Sequence, residues 1–225
     1  MYTKIIYVVV LFTLYHCQSD KNSNQMDSQF EINGTVTHNQ GFENVYLSYV
    51  SADEIILIDS SQIKGQSFQL KGPIHFPKKA YIQFYPQGNS FPFILSGEKI
   101  EIQLNAQDLN ASTVQNSTIN KEWNALKQKS VEIYGDVDYL FPLMHKARIQ
   151  NDYQTLTQIN SKIDSIETLN RQYLLGYITQ HLDNPLSVLI LNDLYHNLQN
   201  DSVQIIQTSQ KMSPELKKAL DFEIK

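Results

Sequence analysis

The 225-residue sequence has one cysteine, Cys17, and one tryptophan, Trp123. A lone cysteine forms no internal disulfide and supplies no C-x-x-C pair, so dithiol redox chemistry within the chain is excluded. Basic residues are not in excess: 18 Lys and Arg stand against 23 Asp and Glu, a net charge of −5. That balance, with no basic stripe, gives no support to nucleic-acid binding. No apolar run reaches the roughly 20 residues of a membrane-spanning helix. The six histidines (His16, His38, His75, His145, His181 and His196) show no H-x-x-x-H or H-E-x-x-H spacing, and no metal site is expected from them. Glu132, Asp136 and Asp138 gather around Gly135, but calcium needs more oxygen ligands at loop spacing; the cluster reads as a solvated turn between helices. The glycines of "KGPIHF" and "GNSFPFILSG" neither follow a strand nor open a helix, so no phosphate cradle, and no cofactor, is expected. No repeat of fixed period is present.

The N-terminus carries what these absences leave. After Lys4, the segment Ile5 to Leu14 is apolar apart from Tyr7 and Thr13, and Cys17 follows. A run of that length suits the core of an export signal rather than a spanning helix. A cysteine placed there resembles the lipid-attachment residue of bacterial lipoprotein signals; Leu14 matches the pattern and His16 departs from it, where a small residue is usual. The expectation is a signal over 1–17 ending at a lipidated Cys17, and a polar tether over 18–29. The location is then the bacterial cell envelope, periplasmic or surface-facing, with the membrane as partner through the lipid. Two or more acyl chains are needed for durable anchoring.

Two periodicities divide the remainder. From Phe30 to about residue 116 the pattern is that of strands: "FEINGTVTH", "VYLSYV", "EIILIDSSQI" with a dense apolar core, "SFQLKGPIHF", "KAYIQFYP", "FPFILSG" and "KIEIQL". Turn residues fall every 8 to 12 positions, which predicts an antiparallel β-sandwich or open barrel of about seven strands. From 117 to 225 the period is helical. "STINKEWNALKQKSVEI" opens on a Ser/Thr cap, and "DYQTLTQINSKIDSIETLNRQYLLGYITQHL" carries a long apolar stripe in which Ile163, Ile166 and Tyr173 are expected to be largely buried. "DNPLSVLILNDLYHNL", "NDSVQIIQTSQKM" and "SPELKKALDFEI" complete the set. The fold class is α+β: a β domain over 30–116, then an all-helical C-terminal segment over 117–225.

The β stretch, with Asp59-Ser60 ahead of "IKGQSFQLKGPI" and with "LSGEKIEIQL" after the aromatic strand, resembles a β domain of unknown function. That domain precedes the thioredoxin-like domain in many bacterial membrane-anchored thiol–disulfide interchange proteins. The helical stretch with "NPLSVLIL" (Asn184 to Leu191) is similar to the segment leading into that domain. The resemblance covers Phe30 to Phe222 and implies the fold, an envelope location and a thioredoxin-like partner. It implies no activity here, because the thioredoxin-like domain itself is absent before the chain ends at Lys225.

The function expected is a non-enzymatic, lipid-anchored binding module. The alternative is an accessory subunit or remnant of a thiol–disulfide system working with a separately encoded thioredoxin-like protein. The segment "AYIQFYPQGNSFPFIL" is too aromatic for one strand face, since neighbours in a strand point to opposite sides. Tyr81, Tyr85 and Phe91 are therefore the candidate binding surface.

Overall fold

A computed structural model describes residues 28–51, 54–85, 89–135, 137–197 and 202–222. Cys17, the signal over 1–17 and nearly all of the tether lie outside the described residues. Eight strands come first: β1 Ser28–Thr37, β2 Asn44–Ser51, β3 Glu54–Gln62, β4 Ser67–Ile74, β5 Lys78–Gln83, β6 Ser90–Leu95, β7 Lys99–Asn105 and β8 Thr113–Gln115. Six helices follow: α1 Thr118–Tyr134, α2 Val137–Ile149, α3 Tyr153–Gln180, α4 Pro185–Asn197, α5 Ser202–Ser209 and α6 Pro214–Lys217. The class is α+β, as the change of period requires. All seven expected strands are present. β8 is an eighth, three residues long and too short to show an alternation.

The strands form two open four-stranded sheets, β4-β1-β7-β8 and β3-β2-β5-β6. Pairing is antiparallel except between β1 and β7, which run parallel in the register Glu31↔Lys99 to Thr37↔Asn105. The chain leaves the first sheet for β5 and β6 and returns as β7 from the end where β1 began. A tight hairpin would have forced the opposite sense. Between the sheets lie alternate residues of nearly every strand, among them Phe30, Ile32, Leu47, Leu70, Ile82, Phe93 and Ile100.

Two glycines make room in that core. Gly34 and Phe68 are cross-strand partners, as are Gly72 and Phe30. A Cβ on Gly34 would sit 1.9 Å from Phe68 Cζ, and one on Gly72 would sit 2.8 Å from Phe30 Cε1. Each ring thus occupies the space its partner's missing side chain leaves.

β3 departs from its expected burial. Ile55, Ile56 and Leu57 are 62%, 37% and 57% exposed. The apolar run lies on an edge strand with no second sheet over it. Its C-terminal half does join the structure. Asp59 Oδ2 accepts the Lys71 N–H of β4 at 3.1 Å, while Oδ1 accepts the N–H of Ser60 at 2.8 Å. The Asp59 carboxylate is therefore a side-chain tie between the two sheets.

The helical part meets the sheets through β6. Phe93 and Leu95 point into the β core, and Ile94 between them enters a second core with Trp123, Leu126, Ile178, Leu186 and Leu191. β6 is an edge strand, and Asn120 of α1 closes that edge. Its Oδ1 accepts the Ile94 N–H at 2.8 Å and its Nδ2 donates to the Ile94 carbonyl at 2.7 Å. One side-chain amide thus stands in for a neighbouring strand, and it is 1% exposed.

The Ser/Thr cap read in the sequence is formed, and two further helices are capped as well. Ser117 caps α1, Asp152 caps α3, and Asn184 Oδ1 accepts the Leu186 N–H at 2.9 Å ahead of Pro185. α2 was not expected. Pro142 lies inside it and breaks the helical pattern, because proline removes a hydrogen bond to the preceding turn. The α3 stripe is less covered than its periodicity predicts. Ile159, Leu175 and Ile178 are buried, while Ile163, Ile166 and Tyr173 are half-buried. α2 lies along the N-terminal half of α3, and a single helix shields only part of a stripe.

Candidate binding groove

The outer face of the β4-β1-β7-β8 sheet contains a broad depression of about 1010 Å³, lined by Asn33, Gln69, Glu101 and Gln103 among others. Its polar groups serve one another. Gln69 Nε2 donates to Asn33 Oδ1 at 2.8 Å, and Asn33 Nδ2 donates to Glu31 Oε1 at 3.1 Å. Lys99 Nζ lies 3.0 Å from Glu31 and holds that carboxyl below its ordinary range, with help from Asn33. This is a solvated sheet face several of whose polar groups already pair with one another.

A different surface lies where the other sheet faces the helices. A groove of about 750 Å³ runs between β2 and β5 on one side and α4 on the other. Tyr49, Phe76, Tyr81, Trp123, Leu189 and Ile190 supply its apolar lining. Trp123 also walls a second cavity of about 560 Å³ between α1, α3 and α4, which Lys127, Asn170 and Arg171 help to line. Volumes of this size are typical of small-ligand or peptide sites. The Asn170 amide oxygen is buried there with no hydrogen-bond partner.

Lys78, Lys79, Lys127, Arg171 and His196 border these spaces, and they differ in how they are matched. Lys79 Nζ meets Asp193 Oδ2 at 2.8 Å, and His196 Nε2 lies 3.1 Å from Asp221 Oδ2. The groove's two aspartates are thereby engaged. Lys78 and Lys127 have no carboxylate partner among the described residues. Lys78 Nζ sits 4.1 Å over the Tyr49 ring, and Lys127 Nζ sits 3.8 Å over the Trp123 ring. Burial pushes the Lys78 ammonium below its usual range; burial and then the charge of Lys79 do the same to Lys127. The ring faces compensate in part. A carboxylate brought to either ammonium would restore what burial takes away.

The three aromatics singled out in the sequence are not brought together. Tyr81 is half-buried and lines the groove. Tyr85 is 62% exposed, edge-on to Phe42 with ring centroids 5.4 Å apart. Phe91 packs against the β core, stacked on Phe93 at 6.4 Å. Of the charged and aromatic residues bordering the groove and the adjoining cavity, Lys78 and Lys79 carried no signal in a linear reading. An i, i+4 pairing of Trp123 with Lys127 on α1 was the one local cue, and helix geometry places such residues on one face.

The "NPLSVLIL" segment proves to be a helix junction. Tyr177 Oη donates to Glu122 Oε2 at 2.9 Å, and Asn184 Nδ2 donates to the same oxygen at 2.8 Å. His181 stacks on Tyr177 with centroids 4.3 Å apart. Burial, then the bond to Glu122, raise the Tyr177 phenol well above its usual range, so it stays a proton donor. The network ties α1, α3 and α4 together. Among the described residues, no group of three or more His, Cys, Asp or Glu is placed to hold a metal. No helix among them is long and apolar enough to cross a membrane.

Residues 30–123 match the model of a family described as a domain of unknown function, DUF4369. The match runs past the last strand into α1 and takes in Asn120 and Trp123. No curated protein and no solved structure matches the chain.

Proposed function

We propose that this chain is a non-enzymatic, lipid-anchored envelope protein that binds an acidic peptide segment in the groove beside Trp123. One observation carries the binding reading: Lys78 in the groove and Lys127 in the adjoining cavity each lie against an aromatic face with no carboxylate in ion-pair distance among the described residues, and the groove's two aspartates are already engaged. Aromatic walls accept the apolar part of such a segment, and the two ammonium groups accept its carboxylates. A glutamate-rich peptide is the probe. Isothermal titration of the full chain is expected to show binding that weakens as salt rises, because the contacts are charged. Lys78→Glu and Lys127→Glu are each expected to weaken it about tenfold or more, since a hydrogen bond to a charged group contributes about 1.5–3 kcal/mol. Salt-independent binding, or affinity unchanged in both variants, would remove the groove as the site.

The anchor half of the reading rests on the short apolar run before Cys17. Mass spectrometry of the membrane fraction is expected to find a lipid-modified N-terminal Cys17. Cys17→Ala is expected to shift the protein out of that fraction. An unmodified mature N-terminus elsewhere, with the protein soluble, would contradict it. A second reading draws on the match over residues 30–123 together with the resemblance to domains that precede thioredoxin-like domains. In it, the chain is the accessory of a thiol–disulfide system, and the groove receives a separately encoded thioredoxin-like protein. Neither version gives this chain turnover of its own. Exchange needs one thiol to attack and a second to resolve the mixed disulfide, and the sequence holds only Cys17. An insulin-reduction assay on the purified chain is expected to read at background.

A further inference from the structure

The cavity between α1, α3 and α4 has an apolar lining that includes Leu126, Leu174 and Leu194. Two polar groups in its wall are unmatched. Lys127 Nζ rests on the Trp123 ring, with no carboxylate in ion-pair distance among the described residues. The Asn170 amide oxygen is closed off from solvent and accepts no hydrogen bond. A buried acceptor left so is destabilising, and turning the amide about its last side-chain bond would present that oxygen to the cavity. The other charged side chains differ from Lys127. Asp193 is held by Lys79 at 2.8 Å, Arg171 donates to Thr168 Oγ1 at 3.2 Å, and Glu167 is exposed.

An occupant that satisfies both groups has a carboxylate, a hydrogen-bond donor beside it and an apolar body. The side chain of an internal glutamate offers the carboxylate without the donor. The last residue of a peptide offers all three, because its α-carboxylate, its N–H and its side chain share one Cα. We propose that the cavity captures the carboxyl-terminal residue of a peptide whose preceding residues lie in the groove. The proposal rests on the groove reading above and adds to it a requirement for a free chain end. Trp123, Ile190, Asp193 and Asn197 line both spaces, and Asp193 and Asn197 are exposed, so a chain can pass from one to the other along them. The α-carboxylate meets Lys127, the N–H of the last residue meets the turned Asn170 oxygen, and an apolar last side chain packs among Leu126, Leu174 and Leu194. Acidic residues upstream then lie along the groove beside Lys78.

The test is isothermal titration of the full chain with two glutamate-rich peptides of one sequence ending in leucine, one with a free carboxyl terminus and one amidated. The free acid is expected to bind about tenfold or more tightly, since amidation removes a charge-assisted hydrogen bond. Lys127→Met is expected to make the two peptides bind alike. Lys78→Glu, which alters the groove alone, is expected to weaken both and to leave their ratio in place. Asn170→Leu removes the unmatched oxygen, and is expected to weaken the free acid while the far-ultraviolet circular dichroism stays unchanged. Equal affinity of the parent chain for the two peptides, or a ratio that survives Lys127→Met, overturns the proposal and leaves the groove reading standing. Binding of neither peptide overturns both.

Discussion

Asn120→Leu is expected to lower the unfolding free energy of the full chain by about 2–6 kcal/mol in urea denaturation. Leucine keeps the heavy-atom branching of asparagine with more bulk and suits the apolar surroundings, so most of the loss is not one of packing. It comes from the backbone of Ile94, whose N–H and carbonyl would remain buried with no partner; each such group costs about 1–3 kcal/mol. Asn120 is 1% exposed, and no solvent reaches the site to replace it. Asn120→Asp separates the two bonds. It keeps an acceptor for the Ile94 N–H, loses the donor and brings a buried charge. It is expected to be at least as damaging at neutral pH. A loss in Asn120→Leu below about 1 kcal/mol, the size of an ordinary hydrogen bond, would mean that the side chain does not close the β6 edge.

Gly34→Ala is expected to destabilise the β part by about 3 kcal/mol or more, beyond what one methyl group does in a tolerant core. The added Cβ would lie 1.9, 2.1 and 2.4 Å from three carbons of the Phe68 ring. Phe68 is 5% exposed and packs in the β core, so moving its ring disturbs that packing. Gly72→Ala meets Phe30 at 2.8 and 3.0 Å and is expected to cost less. The contact is tested by compensation. Phe68→Leu alone opens a cavity and destabilises, but combined with Gly34→Ala it is expected to recover part of the combined loss. Residues in contact give such a coupling, and independent ones do not. Additive losses, or a Gly34→Ala chain as stable as the parent, would contradict the packing.

These two positions show what a linear reading can and cannot find. The strands were legible because burial between two sheets imposes a period of two, and "KIEIQL" or "FEINGTV" shows it directly. The long helix was legible for the same kind of reason, through the stripe from Ile159 to Ile178, and the start of α1 through its Ser/Thr cap at Ser117. Asn120 gave no signal: an asparagine in the first turn of a helix reads as a surface residue until a strand edge lies beside it. The parallel pairing of β1 with β7 was hidden because alternation is the same in either direction. "EIILI" misled in the opposite way. Its composition is that of a core strand, and only its place at a sheet edge leaves it exposed.

The candidate site was harder still, because it is assembled from distant segments. Tyr81 was visible as an aromatic that one strand face could not absorb, and the structure lines the groove with it. Tyr85 and Phe91 shared the same cue and went elsewhere, to the Phe42 ring and to the β core. Lys78 and Lys127 are separated by nearly fifty residues and look like ordinary surface lysines. What distinguishes them is the aromatic ring under each, together with the engagement of the nearby aspartates by other groups. Apart from the Trp123–Lys127 pairing, which is local to α1, these facts do not exist before the sheet and α4 come together.

The groove also contains its own reporter. Trp123 is the only tryptophan in the chain, and it walls both the groove and the adjoining cavity. The most direct test is a titration of the full chain with a glutamate-rich peptide, following Trp123 emission against a lysine-rich peptide of equal length. The account predicts a saturable change in Trp123 emission with the acidic peptide, reversed by salt and absent with the basic one. Emission that stays constant throughout, or that responds equally to both peptides, would contradict it.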